Sequence, residues 1–135
     1  GGMSRPSPPP TIDEGKELMV HAHSRGLAGD GEPAPTSVLK IGGANLRQEE
    51  FVEELSRYVL ALRRDGLRVI VVHGGGPEIG ALHDALGVPF EKADGLRVTH
   101  AEGMQITTMV LCGLVNKRVA ARFVRDGIPA CCAPI

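Results

Sequence analysis

Val69-Ile70-Val71-Val72-His73-Gly74-Gly75-Gly76-Pro77 decides how this chain folds. Four apolar, β-branched residues read as a strand, three glycines as a loop that exposes its backbone, and Pro77 as the first position of a helix. Consecutive glycines let backbone N–H groups approach an anion without a Cβ in the way. A helix N-terminus just behind them adds partial positive charge. The stretch therefore predicts a cradle for a phosphate or carboxylate. No Gly-Lys-Ser/Thr follows, which excludes a Walker A loop, and the glycines lack the spacing of the dinucleotide fingerprint.

Working outward towards the N-terminus, Val38-Leu39-Lys40-Ile41 is a second strand and ends in Gly42-Gly43. Between the strands, Phe51, Val52, Leu55, Tyr58, Val59 and Leu62 recur at helical spacing. Glu49, Glu50 and Glu53 open that helix, Arg63 and Arg64 close it, and Gly66 fits its stop. Strand, helix and strand make a right-handed βαβ unit with parallel strands. Leu67 to His73 is nearly continuous in apolar residues, the pattern of a strand covered on both faces. The fold class is α/β.

Working outward the other way, a helix runs from Pro77 to about Leu86, with Ile79, Leu82 and Leu86 on one face and Gly87 as its stop. Pro89 to Thr99 reads as a small hairpin turning at Ala93-Asp94-Gly95. Thr99 and Glu102 form a capping box for a long helix that ends at Gly127. Inside it, Met109-Val110-Leu111-Cys112-Gly113-Leu114-Val115 is apolar all round and predicts burial on every side, in the core or in a subunit interface. Ile128 onward resembles a further buried strand, on which Cys131 and Cys132 are inert thiols.

Residues 1–36 differ in kind. Six of the ten prolines lie there (Pro6, Pro8, Pro9, Pro10, Pro33 and Pro35), and such a segment buries too little to offset its ordering entropy. It predicts a mostly disordered tail, with room for a short helix between Ile12 and Leu27, and Gly1-Gly2 before Met3 has the look of a cloning remnant. His21-Ala22-His23 lacks carboxylate or thiol support and is read as surface, so no metal is assigned. The 135 residues make one domain at most, and 42% hydrophobic content with 3% aromatic predicts a core of aliphatic side chains. A net charge of −1 leaves no footprint for nucleic acid, and no run reaches the length of a membrane span. Three cysteines, with no secretion signal ahead of them, argue against a disulfide framework and for the cytoplasm.

Two glycine turns at the C-terminal ends of neighbouring parallel strands mark the edge where ligands collect in open α/β sheets. Lys40, beside both turns, suits a transferring phosphoryl group, whose developing charge it neutralises. Arg97, in Gly95-Leu96-Arg97-Val98-Thr99, has the fork that grips a carboxylate, although a lone strand arginine is more often surface. His73 has no Asp or Ser spaced for a triad and is read as structural, and Asn116-Lys117 as helix surface or subunit contact.

Four ordered motifs, Val38–Gly43, Val71–Pro77, Gly95–Thr99 and Val115-Asn116-Lys117, resemble the amino acid kinase family over about Ser37 to Ala130. The Gly-Leu-Arg-Val-Thr segment narrows the resemblance to the branch that phosphorylates N-acetyl-L-glutamate. The resemblance implies a three-layer αβα sandwich with a mainly parallel sheet. It also implies transfer of a phosphoryl group from ATP, with Mg2+, to the substrate's side-chain carboxylate, in arginine biosynthesis. By similarity, Lys40 is catalytic and stabilises the transferring group. Gly42, Gly43 and Gly75 donate N–H groups to it, Gly75 and Gly76 to the reacting carboxylate, and Arg97 holds the α-carboxylate. Pairing of subunits through the long helix, about residues 100–126, implies a homodimer. The family's nucleotide-holding half, with a further lysine, a catalytic aspartate and an asparagine, has no counterpart here. Residues 37–135 are thus expected to be an N-terminal, substrate-holding lobe, apparently truncated and inactive alone. A carrier-linked aminoadipate kinase and a non-catalytic, arginine-sensing domain of an acetylglutamate synthase are the competing readings.

Overall fold

A computed structural model describes residues 19–23, 34–93, 96–98 and 100–132, with the backbone course alone for 19–23 and 91–98. These residues divide into two units that meet in the chain between His73 and Gly74.

The first unit is built on a three-stranded sheet in the order β1 (Met19–His23), β2 (Thr36–Ile41), β3 (Arg68–His73). β2 and β3 are parallel and in register from Thr36↔Arg68 to Ile41↔His73, as the βαβ pattern predicts. The connection holds a 3-10 turn (Asn45–Arg47) and the helix α1 (Glu49–Arg64). Phe51, Leu55, Tyr58, Val59 and Leu62 form the buried face of α1, which packs on β3; Val52 is only half-buried. Leu39 and Ile41 on β2 are 0% and 1% exposed, and each such side chain contributes roughly 1.5–3 kcal/mol of burial.

Two expectations fail in this unit. Met19–His23, in a segment read as a mostly disordered tail with room for a short helix, forms a strand antiparallel to β2, with an irregularity between His21 and His23. The free edge of β2 offers ladder partners that local propensity cannot anticipate. Nor is β3 covered on both faces. Ile70 and Val72 are 51% and 48% exposed, because α1 covers only the side of Val69, Val71 and His73.

The second unit contains α2 (Gly76–Leu86), the antiparallel hairpin β4 (Glu91–Ala93) and β5 (Leu96–Val98), and one continuous helical rod. The rod comprises α3 (Ala101–Thr108), a π-helical stretch (Met109–Val115) and α4 (Asn116–Arg125). The hairpin and the rod agree with the sequence, and the details differ. α2 starts at Gly76, one residue early, which leaves Pro77 in the first turn, where its missing N–H is still harmless. Its buried face carries Ile79 and His83, whereas Leu86 is 56% exposed. The rod's N-cap is His100, whose carbonyl accepts the Met104 N–H at 2.9 Å, so Glu102 falls one place short of a capping box. Thr99 lies outside the described residues.

The predicted stops Gly66, Gly87 and Gly127 all hold positive φ, +82°, +66° and +83°. Each sits in the same pair of hydrogen bonds, its own N–H donating to the carbonyl three back, of Arg63, Asp84 and Val124. The residue after the glycine donates to the carbonyl five back, Leu67 to Leu62, Val88 to His83 and Ile128 to Phe123, at 3.1, 3.0 and 2.8 Å. That motif explains why the predicted strand at Ile128 is absent. Ile128 is buried as the apolar follower of a helix cap, and no ladder continues from it through Cys132. Cys131 is accordingly exposed rather than buried.

Tyr58 supplies a pH test of this packing. Desolvation on the buried face of α1 raises its phenol above the ordinary 10.0. A raised folded value favours the neutral phenol, so its stabilisation is complete below about pH 10 and is lost as pH rises through the folded value. Denaturant midpoints are expected to fall between neutral pH and the alkaline limb more for the unsubstituted chain than for Tyr58→Phe. Equal slopes would mean that the phenol is solvated.

Candidate phosphoryl and carboxylate site

β2 and β3 end at the same level, because Ile41 and His73 are register partners. The chain therefore leaves both strands at one sheet edge, by Gly42 and by Gly74. On β2, Lys40 is exposed and lies on the sheet face opposite Leu39 and Ile41, with Val72 as its register partner. An ammonium there meets no burial penalty and is available to an anion. Gly42 is exposed and Gly43 half-buried; the Gly42 carbonyl accepts the Asn45 N–H at 3.1 Å, which turns the chain into the 3-10 segment. A Cβ at Gly42 would meet only Asn45 Nδ2, at 3.7 Å, so its surroundings leave room for approach.

In the second unit, Gly75 is the buried N-cap of α2, and its carbonyl accepts the Ile79 N–H at 2.9 Å. Gly76 is the first helical residue, exposed, with nothing within 4 Å of a Cβ built on it. Its N–H belongs to the set that an α-helix leaves without an internal acceptor. The glycine loop therefore runs straight into the first turn of α2, so a helix N-terminus stands directly behind it. Arg97 is central in β5 and pairs with Lys92 of β4. The structure therefore places Lys40, Gly42 and Gly43 in the first unit and Gly75, Gly76 and Arg97 in the second. His73 ends β3 half-buried; on the rod, Asn116 is half-buried and Lys117 exposed.

The sequence missed two features. Glu78, in the first turn of α2 and 8% exposed, accepts from Arg118 Nη1 of α4 at 3.4 Å. Forty residues separate the pair, so no local pattern betrays it. His83 is 3% exposed; its Nδ1 lies 3.2 Å from the Val88 carbonyl, and Phe90 meets it edge-on at 5.2 Å. That imidazole fastens the segment after α2. Within the single chain the apolar stretch Met109–Val115 is buried on one side: Val110 and Val115 are buried, while Met109 and Leu114 are about half-exposed, at 53% and 49%, which leaves open the subunit interface that the sequence also allowed. Among the described residues no three His, Cys, Asp or Glu side chains are grouped to hold a metal ion, and no helix is long and apolar enough to cross a membrane.

Residues 35–134 match the amino acid kinase family. The acetylglutamate kinase of Synechococcus elongatus is 45% identical over 92 residues, which are 68% of this chain and 31% of that protein. The acetylglutamate kinase of Parvibaculum lavamentivorans is 42% identical over 92 residues, 68% of this chain and 30% of that protein. That of Rhizorhabdus wittichii is 36% identical over 123 residues, 90% of this chain and 39% of that protein. The crystal structure of smu.665 from Streptococcus mutans UA159 superposes with a TM-score of 0.56 at 33% identity, covering 67% of this chain and 36% of that one. The chain thus spans about a third of the length of the curated relatives it matches.

Proposed function

Because the chain belongs to the amino acid kinase family, we propose that it is the substrate-holding part of an acetylglutamate kinase. The reaction is ATP-dependent phosphorylation of the side-chain carboxylate of N-acetyl-L-glutamate, a step of arginine biosynthesis. The observation that carries this reading is the level ending of two parallel strands, each followed by glycine, with Lys40 one residue before the end of β2.

ATP supplies the γ-phosphoryl group, and a carboxylate oxygen of the substrate displaces ADP from it to give an acyl phosphate. The chain's own residues have three tasks. Lys40 offsets the negative charge that spreads over the phosphoryl oxygens. Gly42, Gly43 and Gly75 present N–H groups to those oxygens, and Gly75 and Gly76 orient the reacting carboxylate. Arg97 grips the α-carboxylate with its planar fork. No covalent nucleophile is needed, since alignment and charge neutralisation carry phosphoryl transfer. Mg2+ is expected to accompany ATP, and the residues named here act without ligating it. We assign the nucleotide side to the part of the relatives that this chain does not span. A cytoplasmic homodimer joined through the rod, with Met109 and Leu114 in its contact, completes the proposal.

The test is calorimetric titration of the 135-residue chain with N-acetyl-L-glutamate, and separately with L-arginine. Saturable heat with acetylglutamate alone is the expected result. Heat with arginine alone would replace this reading with an arginine sensor, and no heat from either would remove the preformed half-site.

A further inference from the structure

We propose that the π-helical stretch Met109–Val115 is the device that positions the Gly74–Gly76 loop, with Leu111 and Val115 as its positioning residues. The proposal deepens the assignment of that loop to phosphoryl and carboxylate binding and rests on it.

Gly75 has φ −171°, an extended value open to any residue, so its backbone conformation does not demand glycine. Its surroundings leave little room for a side chain. A Cβ built on Gly75 would lie 2.8 Å from Leu111 Cδ2, 3.2 Å from Val115 Cγ2 and 3.6 Å from Val110 Cγ1. All three neighbours come from one seven-residue stretch. In a regular α-helix, residues five apart project roughly 140° away from each other. Here the Asn116 N–H donates to the Leu111 carbonyl, five residues back, so the stretch is wound wide. Wide winding stacks a residue close to the fifth one along. Val110 and Val115, 2% and 1% exposed, can therefore close on the same glycine.

What is held in place is the start of α2. The Gly75 carbonyl accepts the first bond of that helix, from Ile79 at 2.9 Å, so fixing Gly75 fixes where the N–H groups of the first turn point. One turn further along the rod, Arg118 reaches Glu78, three residues past Gly75, at 3.4 Å. The rod thus meets the same helix end twice, once by apolar contact and once by charge. A catalytic loop needs this support, because glycines supply approach but no stiffness of their own.

The test is a double-mutant cycle on the 135-residue chain with Gly75→Ala, Leu111→Ala and both together, read in two ways. One readout is the amide spectrum of 15N-glycine-labelled protein, and the other is the Kd for N-acetyl-L-glutamate. Gly75→Ala is expected to displace the Gly74 and Gly76 amide resonances and to weaken binding tenfold or more. Leu111→Ala alone broadens the same resonances, and Leu111→Met leaves them in place. The double variant recovers most of the loss, because the new methyl enters the space the leucine vacates. Gly113→Ala, whose Cβ would have nothing within 4 Å, serves as the control on the same stretch and leaves the loop amides unmoved. An additive cycle, or loop amides indifferent to both Gly75→Ala and Leu111→Ala, overturns the proposal. Absence of acetylglutamate binding by the unsubstituted chain overturns the functional assignment instead, and the amide readout still decides the positioning role. Should Gly75→Ala fail to fold, the contrast of Leu111→Ala with Leu111→Met decides it.

Discussion

Arg97→Ala is expected to weaken binding of N-acetyl-L-glutamate roughly thirty-fold or more while leaving the fold intact. The ligand carries two carboxylates, and the proposed site divides them between backbone N–H groups and one guanidinium. Backbone donors suit the reacting carboxylate, which must be approached closely; the α-carboxylate is left to a charged fork. Removing one partner of a hydrogen-bonded charge pair costs about 2–5 kcal/mol, or roughly thirty-fold to several thousand-fold in Kd. Arg97→Lys keeps the charge and loses the bidentate geometry, so it should fall between the two. β5 makes its ladder with β4 through backbone bonds, which alanine retains, and the denaturation midpoint is expected to stay close to that of the unsubstituted chain. A Kd unchanged in Arg97→Ala would transfer the α-carboxylate to another cation and withdraw Arg97 from the site.

Where the candidate site residues fall on the strands and turns was legible in the sequence, but the long-range contacts of the fold were not. Lys40, the two glycine turns and Arg97 stand at strand ends or in strands that local patterns mark out, and those strands form in the predicted order. The helix stops at Gly66, Gly87 and Gly127 were equally legible, since a left-handed residue is a local requirement. What escaped depends on distant partners. β1 exists because β2 has an edge to pair with, and the ion pair of Glu78 with Arg118 joins two helices. The apolar run Met109–Val115 reads the same whether it is wound as an α-helix or a π-helix; the wide winding accompanies a contact with a glycine far away in sequence. Burial was also legible only in kind. A strand of Val and Ile announces two apolar faces, yet one of them, at Ile70 and Val72, is half-open among the described residues.

That asymmetry makes the first unit a sharp test of where its stability lies. Phe51→Ala is expected to destabilise this unit by about 3–5 kcal/mol, the cost of removing a buried ring and leaving a cavity. Phe51 opens α1, is 2% exposed and lies on the helix face packed against β3. Collapse around the missing ring is restricted, because Leu55, Val59 and Leu62 continue the same face at 3%, 2% and 3% exposure and the 3-10 turn packs beside it. Small domains hold only about 5–15 kcal/mol in total, so such a loss brings this one close to unfolding at room temperature. Val72→Ala provides the contrast. It removes an apolar side chain from the same sheet, but from the open face, where nearly half its surface already meets water, 48%. Its expected cost is within about 1 kcal/mol, since little transfer energy and no cavity are involved. Urea titrations followed by circular dichroism measure both, with an unchanged slope required for the comparison. Comparable losses for Phe51→Ala and Val72→Ala would mean that the Val72 face is covered in solution as firmly as the α1 face. Association of the chain through its sheet would then have to be measured before any stability could be assigned to the single copy.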